Sequence, residues 1–283
     1  MKLVIMQRLA DLHTHSNASD GALTPTELVR AAAEFGLAAV AITDHDTMEG
    51  VEEALAAGQE VGIEVVPGIE ISTIGPGNVE VHMLGYYLDH RYPVLSEMLK
   101  VLRESRLDRG RKMVEALNNA GVKVSLDRLM EIAQGGAIGR PHVAKAIIEI
   151  GAASSMDSAF GKYLVEGAPA FVARHKVEPV DAVRMIREAG GVASCAHVAK
   201  LNRDDLLLEL AREGMQAIEV YHPDHPSAGI RHYEKFAAKH GLIATGGSDA
   251  HCFTGGKTTT VGCVTVCYES VLELKARLAA NRA

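Results

Sequence analysis

Short apolar runs alternate with capped amphipathic stretches over residues 9 to 90, the pattern of βα units that build a largely parallel sheet. The clearest helix signal comes early. Thr24, Pro25 and Glu27 form a capping box with proline at the first helical position, ELVRAAAEF follows, and Gly36 closes the helix. LAAVAIT then reads as a buried strand. A second helix is predicted from about Glu49 to Glu60, ending at Gly62, and IEVVPGIEIS and VEVHMLGYYL read as two further strands. From about Pro93 to Tyr163 the rhythm changes to helix after helix: PVLSEMLKVLRESRLDRGRKMVEALNNAG, SLDRLMEIAQ and RPHVAKAIIEIG. Beyond Val177 the βα rhythm returns, through GVASCAH, a helix near Asp204 to Glu213, MQAIEVY, a helix to His240, and GLIATGGSDAH. The expected division is an α/β barrel from residues 1–92 and 176–283, interrupted by a helical insertion over residues 93–175. There is no internal repeat, low-complexity tract or Ser/Pro linker, so the insertion is expected to pack on the barrel.

At 283 residues, 47% of them hydrophobic, the chain can bury a sizeable core. Its net charge of −7 provides no general basic field for long nucleic acid, so any nucleotide contact should be local. The start, MKLVIMQRLADLH, lacks a signal-peptide pattern, and no 18-residue apolar run occurs, which points to a cytoplasmic protein with no membrane partner. The four cysteines (Cys195, Cys252, Cys263, Cys267) form no CxxC pair. Because Cys263 and Cys267 fall in the alternating run VGCVTVC, the cysteines read as buried free thiols.

The polar residues are distributed unequally on this map. Asp11-Leu12-His13-Thr14-His15 follows the first strand, Thr43-Asp44-His45-Asp46 the second, and Glu70 sits near the end of the third. His82 falls within the fourth, His197 follows the strand after the insertion, and Gly247-Ser248-Asp249-Ala250-His251 follows a late strand. In α/β barrels the strand ends converge on one face, so these residues, distant in sequence, should meet. Imidazole and carboxylate together bind Zn, Mn or Fe, and an i, i+2 histidine pair leaving a strand presents both rings on one side. A closed structural zinc site would more typically use thiolates. This oxygen- and nitrogen-rich set suits two or three hydrolytic ions with open positions. Taken singly, His82 could be a core histidine, Asp20 a turn residue before Gly21, and Asp249 a helix cap. All the bland readings would have to hold together.

DLHTHSNASDGALTPTEL, AITDHDTMEG, VVPGIEIS, His82, CAH and GGSDAH occur in an order that resembles the PHP (polymerase and histidinol phosphatase) superfamily of metal-dependent phosphoesterases. The run SDGALTP and the insertion carrying Gly139-Arg140-Pro141-His142 resemble one bacterial branch. That branch removes the 3′-phosphate of nucleoside 3′,5′-bisphosphates and trims short 5′-phosphorylated RNA from its 5′ end. The resemblance implies a distorted (β/α)7 TIM-like barrel holding three ions, most simply manganese, with zinc or iron as alternatives. One ion would take His13, His15, Glu70 and Asp249, the residues on which the reaction centres. A second would share Glu70 and add His82 and His197, and a third would take Asp20, His45 and His251. Arg140 and His142 would reach from the insertion to a substrate phosphate.

The implied reaction is attack of a metal-activated water on phosphorus in a small phosphorylated nucleotide or short RNA. His222 and His225, in EVYHPDHPS, follow a strand and are candidates for supporting or proton-donating groups, with a surface turn the simpler account of His225. Three other readings share much of this sequence: a histidinol-phosphate or other small phosphomonoester phosphatase, an amidohydrolase-type C–N hydrolase, and a metal-binding module without turnover.

Overall fold

The computed structural model of the protein describes residues 8–133, 138–173, 177–251 and 260–282. Eight strands form one sheet: β1 (Leu9–Asp11), β2 (Ala39–Ile42), β3 (Glu64–Gly75), β4 (Val79–Tyr86), β5 (Val192–Cys195), β6 (Ala217–Tyr221), β7 (Ile243–Gly246) and β8 (Val266–Cys267). Their order is β7-β6-β5-β4-β3-β2-β1-β8. The two sides of β1 close it into a nearly complete barrel. β2 takes one edge of β1; along the other, β8 pairs with its first residues, and just beyond them Leu12 N donates to Gly246 O (3.1 Å) and Thr14 bridges Ala250.

The sheet is less parallel than the sequence pattern suggests. β1, β2 and β3 run parallel, as do β5, β6 and β7, but β4 is antiparallel to both β3 and β5. The cause is local. β3 and β4 are joined by the short turn Pro76–Asn78, which is too short for the crossover helix a parallel neighbour would need. β3 is also longer than expected, at 12 residues, so Glu70 lies at its middle and not near its end. The run VGCVTVC gives strand only at Val266–Cys267; Cys263 is exposed and Cys267 half-buried, whereas Cys195 is buried as expected and Cys252 lies outside the described residues.

The helices begin as their caps foretell. In α1 (Pro25–Phe35) the Thr24 hydroxyl accepts from Glu27 N while the Glu27 carboxylate accepts from Thr24 N, and Gly36 ends the helix at a φ of 87°. α2 (Val51–Val61) ends at Gly62 and packs with α1 over Leu28, Val40 and Ile42. The helical segment opens with α3 (Pro93–Asn119), 27 residues and therefore about 40 Å long. It continues through α4 (Leu126–Ile132), α5 (Arg140–Glu149) and α6 (Met156–Ala159); its expected end at residue 175 lies outside the described residues. Met113 and Leu117 of α3 join Leu129, Val143 and Ile147 in a core of their own, whereas Leu95 and Leu102 of the same helix pack in the barrel's core. α7 (Pro179–Glu188), α8 (Val198–Leu201), α9 (Asp204–Arg212), α10 (Ser227–His240) and α11 (Glu269–Arg282) complete the barrel's outer layer. Inside it, Leu12, Val66, Leu84, Tyr86 and Ala217 meet in one fully shielded cluster, each large apolar side chain contributing about 1.5–3 kcal/mol.

Candidate metal centre

His13 and His15 leave β1 on the same side, and their Nε2 atoms lie 3.1 Å apart. Two glycines allow neighbouring loops to press onto this segment. A Cβ on Gly21 would lie 2.1 Å from His15 O, and one on Gly247 2.3 Å from His13 N, so no other residue fits either position. The loops are braced by buried carboxylates that face away from the cluster. Asp11 accepts from the Ser248 hydroxyl (2.6 Å) and amide (2.9 Å), which fixes the loop carrying Asp249. Asp44 accepts from the hydroxyls of Ser16 and Ser19 (both 2.6 Å), which fixes the turn carrying Asp20. Burial pushes Asp11 up to about 6, and it raises Asp44 as well.

Glu70 is the hub of the arrangement. Its Oε2 lies 3.4 Å from His13 Nε2, 3.3 Å from His15 Nε2 and 3.0 Å from His45 Nδ1. Its Oε1 lies 2.9 Å from His82 Nδ1 and 3.3 Å from His197 Nε2. Asp249 Oδ1 lies 3.1 Å from His15 Nε2 and 3.4 Å from His13 Nε2, and Asp20 Oδ1 lies 3.2 Å from His251 Nε2. All nine residues expected to bind metal therefore come together. Asp46, His197 and Asp249 adopt left-handed φ angles of 54°, 35° and 49°, strain that the surrounding loops hold in place at the cluster.

The donor set suits divalent cations. Among the described residues, three groups have ligand atoms that lie within 4.8 Å of one another: His15, Asp20, His45 and His251; His13, His15 and Glu70; and His45, Glu70 and His82. His15 Nδ1 is buried without a hydrogen-bond partner, although buried polar atoms are normally satisfied, and His45 Nδ1 and Asp20 Oδ1 make no hydrogen bond beyond the ion-pair contacts to Glu70 and His251 given above. His45 stands between two of the groups, closer to Glu70 than a role beside Asp20 and His251 alone would place it.

The electrostatics agree. Burial alone would raise Glu70, Asp20 and Asp249, but the surrounding imidazoles hold all three well below the usual carboxylate range. Burial alone would lower His251, but the Asp20 carboxylate raises it to about 10; His13, against Glu219 and Glu70, is likewise raised well above its ordinary value. His15 is lowered to about 4 by burial and by the neighbouring His251. Ionised carboxylates at this density call for compensating positive charge, which protonated imidazoles or bound cations can supply.

One supporting residue, Glu219, escaped the sequence reading, and His222 and His225 were only candidates in it. Glu219, in the middle of β6 and fully buried, accepts from His13 Nδ1 (2.9 Å) and from His197 N (2.7 Å). Its signal was a lone acid in the apolar run AIEVY. His222 is buried with Nε2 3.2 Å from Asp249 Oδ2. His225 does not sit in a surface turn: it is buried, its Nδ1 donates to Val220 O (2.8 Å), and its Nε2 accepts from Ala199 N (3.3 Å).

A cavity of about 400 Å³ opens over the cluster, lined by Asp20, His45, Glu70 and Asp249 below and by Arg106 and Arg140 from the helical segment. Arg140 pairs with Glu80 (2.9 Å). Arg106, buried, donates from Nε to Asp46 (2.6 Å) and from a terminal nitrogen to the Ser72 hydroxyl (2.9 Å). His142 differs from expectation: it does not line this cavity, its Nδ1 accepts from Gly139 N (3.0 Å) at the start of α5, and burial lowers it to about 4.

The PHP domain model matches residues 11–150. The chain is 37% identical to a 3′,5′-nucleoside bisphosphate phosphatase of Chromobacterium violaceum, over 95% of this chain and 97% of that one. It is 35% identical to the 5′-3′ exoribonuclease Rnm of Escherichia coli, over 85% and 84% respectively. A solved structure from Bifidobacterium adolescentis, described as a metal-dependent phosphoesterase, superposes with a TM-score of 0.88 at 31% identity, covering 95% of this chain and 96% of that one. With likeness running over nearly the whole length, and with the ligand-bearing strands in the same chain, the protein belongs to the PHP family of metal-dependent phosphoesterases.

Proposed function

We propose that this phosphoesterase cleaves the ester between phosphorus and the 3′ oxygen of a nucleotide that also carries a 5′-phosphate, either in a nucleoside 3′,5′-bisphosphate or at the 5′ end of short RNA. One observation carries the reading: candidate metal ligands and the cations Arg106 and Arg140 line the same cavity. A substrate with two phosphates can thus place one against the cluster and the other against a guanidinium fork, which suits phosphate oxygens. The names of the Chromobacterium violaceum and Escherichia coli relatives fit the two substrate forms.

The two forms are chemically one reaction. A water oxygen joins phosphorus, the bond from phosphorus to O3′ breaks, and O3′ leaves with a proton; only the group left on phosphorus differs. Bound divalent ions would supply a water of lowered pKa and charge against the phosphate oxygens. His13, His15, Glu70 and Asp249 would hold one such ion, with Glu70 shared by His82 and His197 at a second, and Asp20, His45 and His251 at a third. Glu219 keeps a proton on His13 Nδ1 and so turns the Nε2 lone pair toward the cluster. Arg106, anchored through Asp46 and Ser72, ties the helical segment to the barrel at the cavity's edge. Manganese is the proposed ion; six imidazoles and three carboxylates also suit zinc or iron, and metal availability as well as affinity decides which ion is bound.

The test is phosphate release from adenosine 3′,5′-bisphosphate by manganese-loaded protein, with histidinol phosphate alongside. EDTA-sensitive release from the bisphosphate, lost in Asp249→Ala, is expected. Turnover of histidinol phosphate alone would overturn the substrate while leaving the metal centre.

A further inference from the structure

The turn after β6 carries His222, Asp224 and His225, and the reaction proposed above assigns none of them a part. His222 is the member that reaches the cluster. It is buried, and its Nε2 lies 3.2 Å from Asp249 Oδ2. On the opposite side of the ring, Nδ1 accepts from Asp224 N (3.1 Å). A backbone amide can only donate, so the ring proton lies on Nε2 and the bond to Asp249 runs from imidazole to carboxylate. The two oxygens of Asp249 are thereby divided. Oδ1 faces the cluster, 3.1 Å from His15 Nε2 and 3.4 Å from His13 Nε2, while Oδ2 faces His222.

Contacts outside the cluster aim the His222 ring. His225 N donates to His222 O (3.0 Å), and the His225 ring is fixed at both nitrogens, donating to Val220 O (2.8 Å) and accepting from Ala199 N (3.3 Å). Asp224 pairs with Lys200 (2.8 Å), which ties the turn to α8 a second time. Asp249 is held only in part by its own loop. Asp11 pins the backbone through Ser248, next to the left-handed φ of 49° at Asp249, but the last torsion of an aspartate side chain is soft and stays open to rotation. A donor fixed from elsewhere removes that freedom.

We propose that His222 is a positioning residue: by clamping Oδ2 of Asp249 it presents Oδ1 to the metal centre. The inference rests on the metal centre of the proposed reaction and goes beyond it by assigning the orientation of one ligand to a residue outside the ligand set.

The test is manganese affinity, measured by competition with a chromogenic chelator, in the wild type, His222→Gln and His222→Met. Glutamine and methionine are of similar length and both remove the ring acceptor of Asp224 N, but only glutamine can donate to Oδ2. His222→Met is expected to weaken binding about 10–100-fold, with His222→Gln within about threefold of the wild type. His222→Phe, which keeps a ring but cannot donate, repeats the comparison and should match methionine. A space-filling role would treat donor and non-donor alike, so equal affinities in all three variants would overturn the inference. The effect must also vanish with its acceptor. In an Asp249→Ala background, His222→Met should change affinity by less than about twofold, and a tenfold change persisting there would overturn the inference as well. A wild type that binds no manganese would remove the metal centre itself and the inference with it.

Discussion

Glu219 illustrates what a single carboxylate does at this site. It receives the His13 ring proton on one oxygen and the His197 amide on the other, so it orients a side chain from β1 and a backbone from the end of β5 together. A glutamine has one acceptor oxygen and cannot serve both partners. Glu219→Gln is therefore expected to weaken metal binding about 10–100-fold, measured by competition with a chromogenic chelator; unchanged affinity would remove Glu219 from this role. Eight of the nine cluster residues were legible in the sequence because each stands within a strand or a few residues past one; Asp20, in a turn before Gly21, entered only with the family resemblance. Glu219 and His225 were not legible, because burial of an acid or an imidazole inside the fold is a tertiary fact. A strand such as AIEVY or a turn such as YHPDHPS looks the same whether its polar member faces solvent or the cluster.

At the level of elements, caps were read most reliably and strand directions least. Thr24, Glu27 and Gly36 bound α1 through contacts within a few residues, so local sequence contains the whole cause. The direction of β4 depends instead on a three-residue turn that sequence periodicity does not register. The opposite end of β3 offers a separate test. Glu64, its first residue, accepts from Tyr87 (2.6 Å), Tyr268 (2.5 Å) and Lys275 of α11 (2.8 Å), tying strand to closing helix. Partial burial would raise Glu64, but Lys275 and the two phenols bring it below the ordinary 4.5. A depressed carboxylate stabilises the fold above its unfolded pKa, and that contribution is lost as pH falls through the folded value. Because the group is partly exposed, the expected cost of Glu64→Gln is only about 1 kcal/mol at pH 7. The gap from wild type should close as pH falls below the ordinary 4.5 and through the lowered folded value, in urea titrations across pH. A gap independent of pH would show that charge at Glu64 is not what ties α11 to the barrel.

For the whole molecule, the cluster is an electrostatic liability that cations relieve. Glu70, Asp20 and Asp249 are held ionised within one buried region, and their carboxylates raise His13 and His251 above the ordinary imidazole value. Ions that bind only the folded chain stabilise it by about 2.7 kcal/mol at a hundred times the dissociation constant. For a chain of this size, stripping with EDTA should lower the melting temperature by about 5–10 °C, and manganese should restore it; identical melts would mean that no ion binds tightly in the folded state. Fold class at this scale was legible from the interrupted βα rhythm. The helical segment's own core was not, since Met113, Leu117 and Ile147 carry no mark of which neighbours they choose. Among the described residues no helix is long and apolar enough to cross a membrane.

The unbroken course of α3 sets how the roof over the metals can move. Leu95 and Leu102 root one half of the helix in the barrel, Met113 and Leu117 root the other half among the helices, and Arg106 bolts the midpoint to Asp46. On this side the roof is mounted as a cantilevered beam is mounted on a wall. With both halves of the helix rooted and its midpoint fixed, the packing favours a stiff aperture above the ligand cluster over a hinged one.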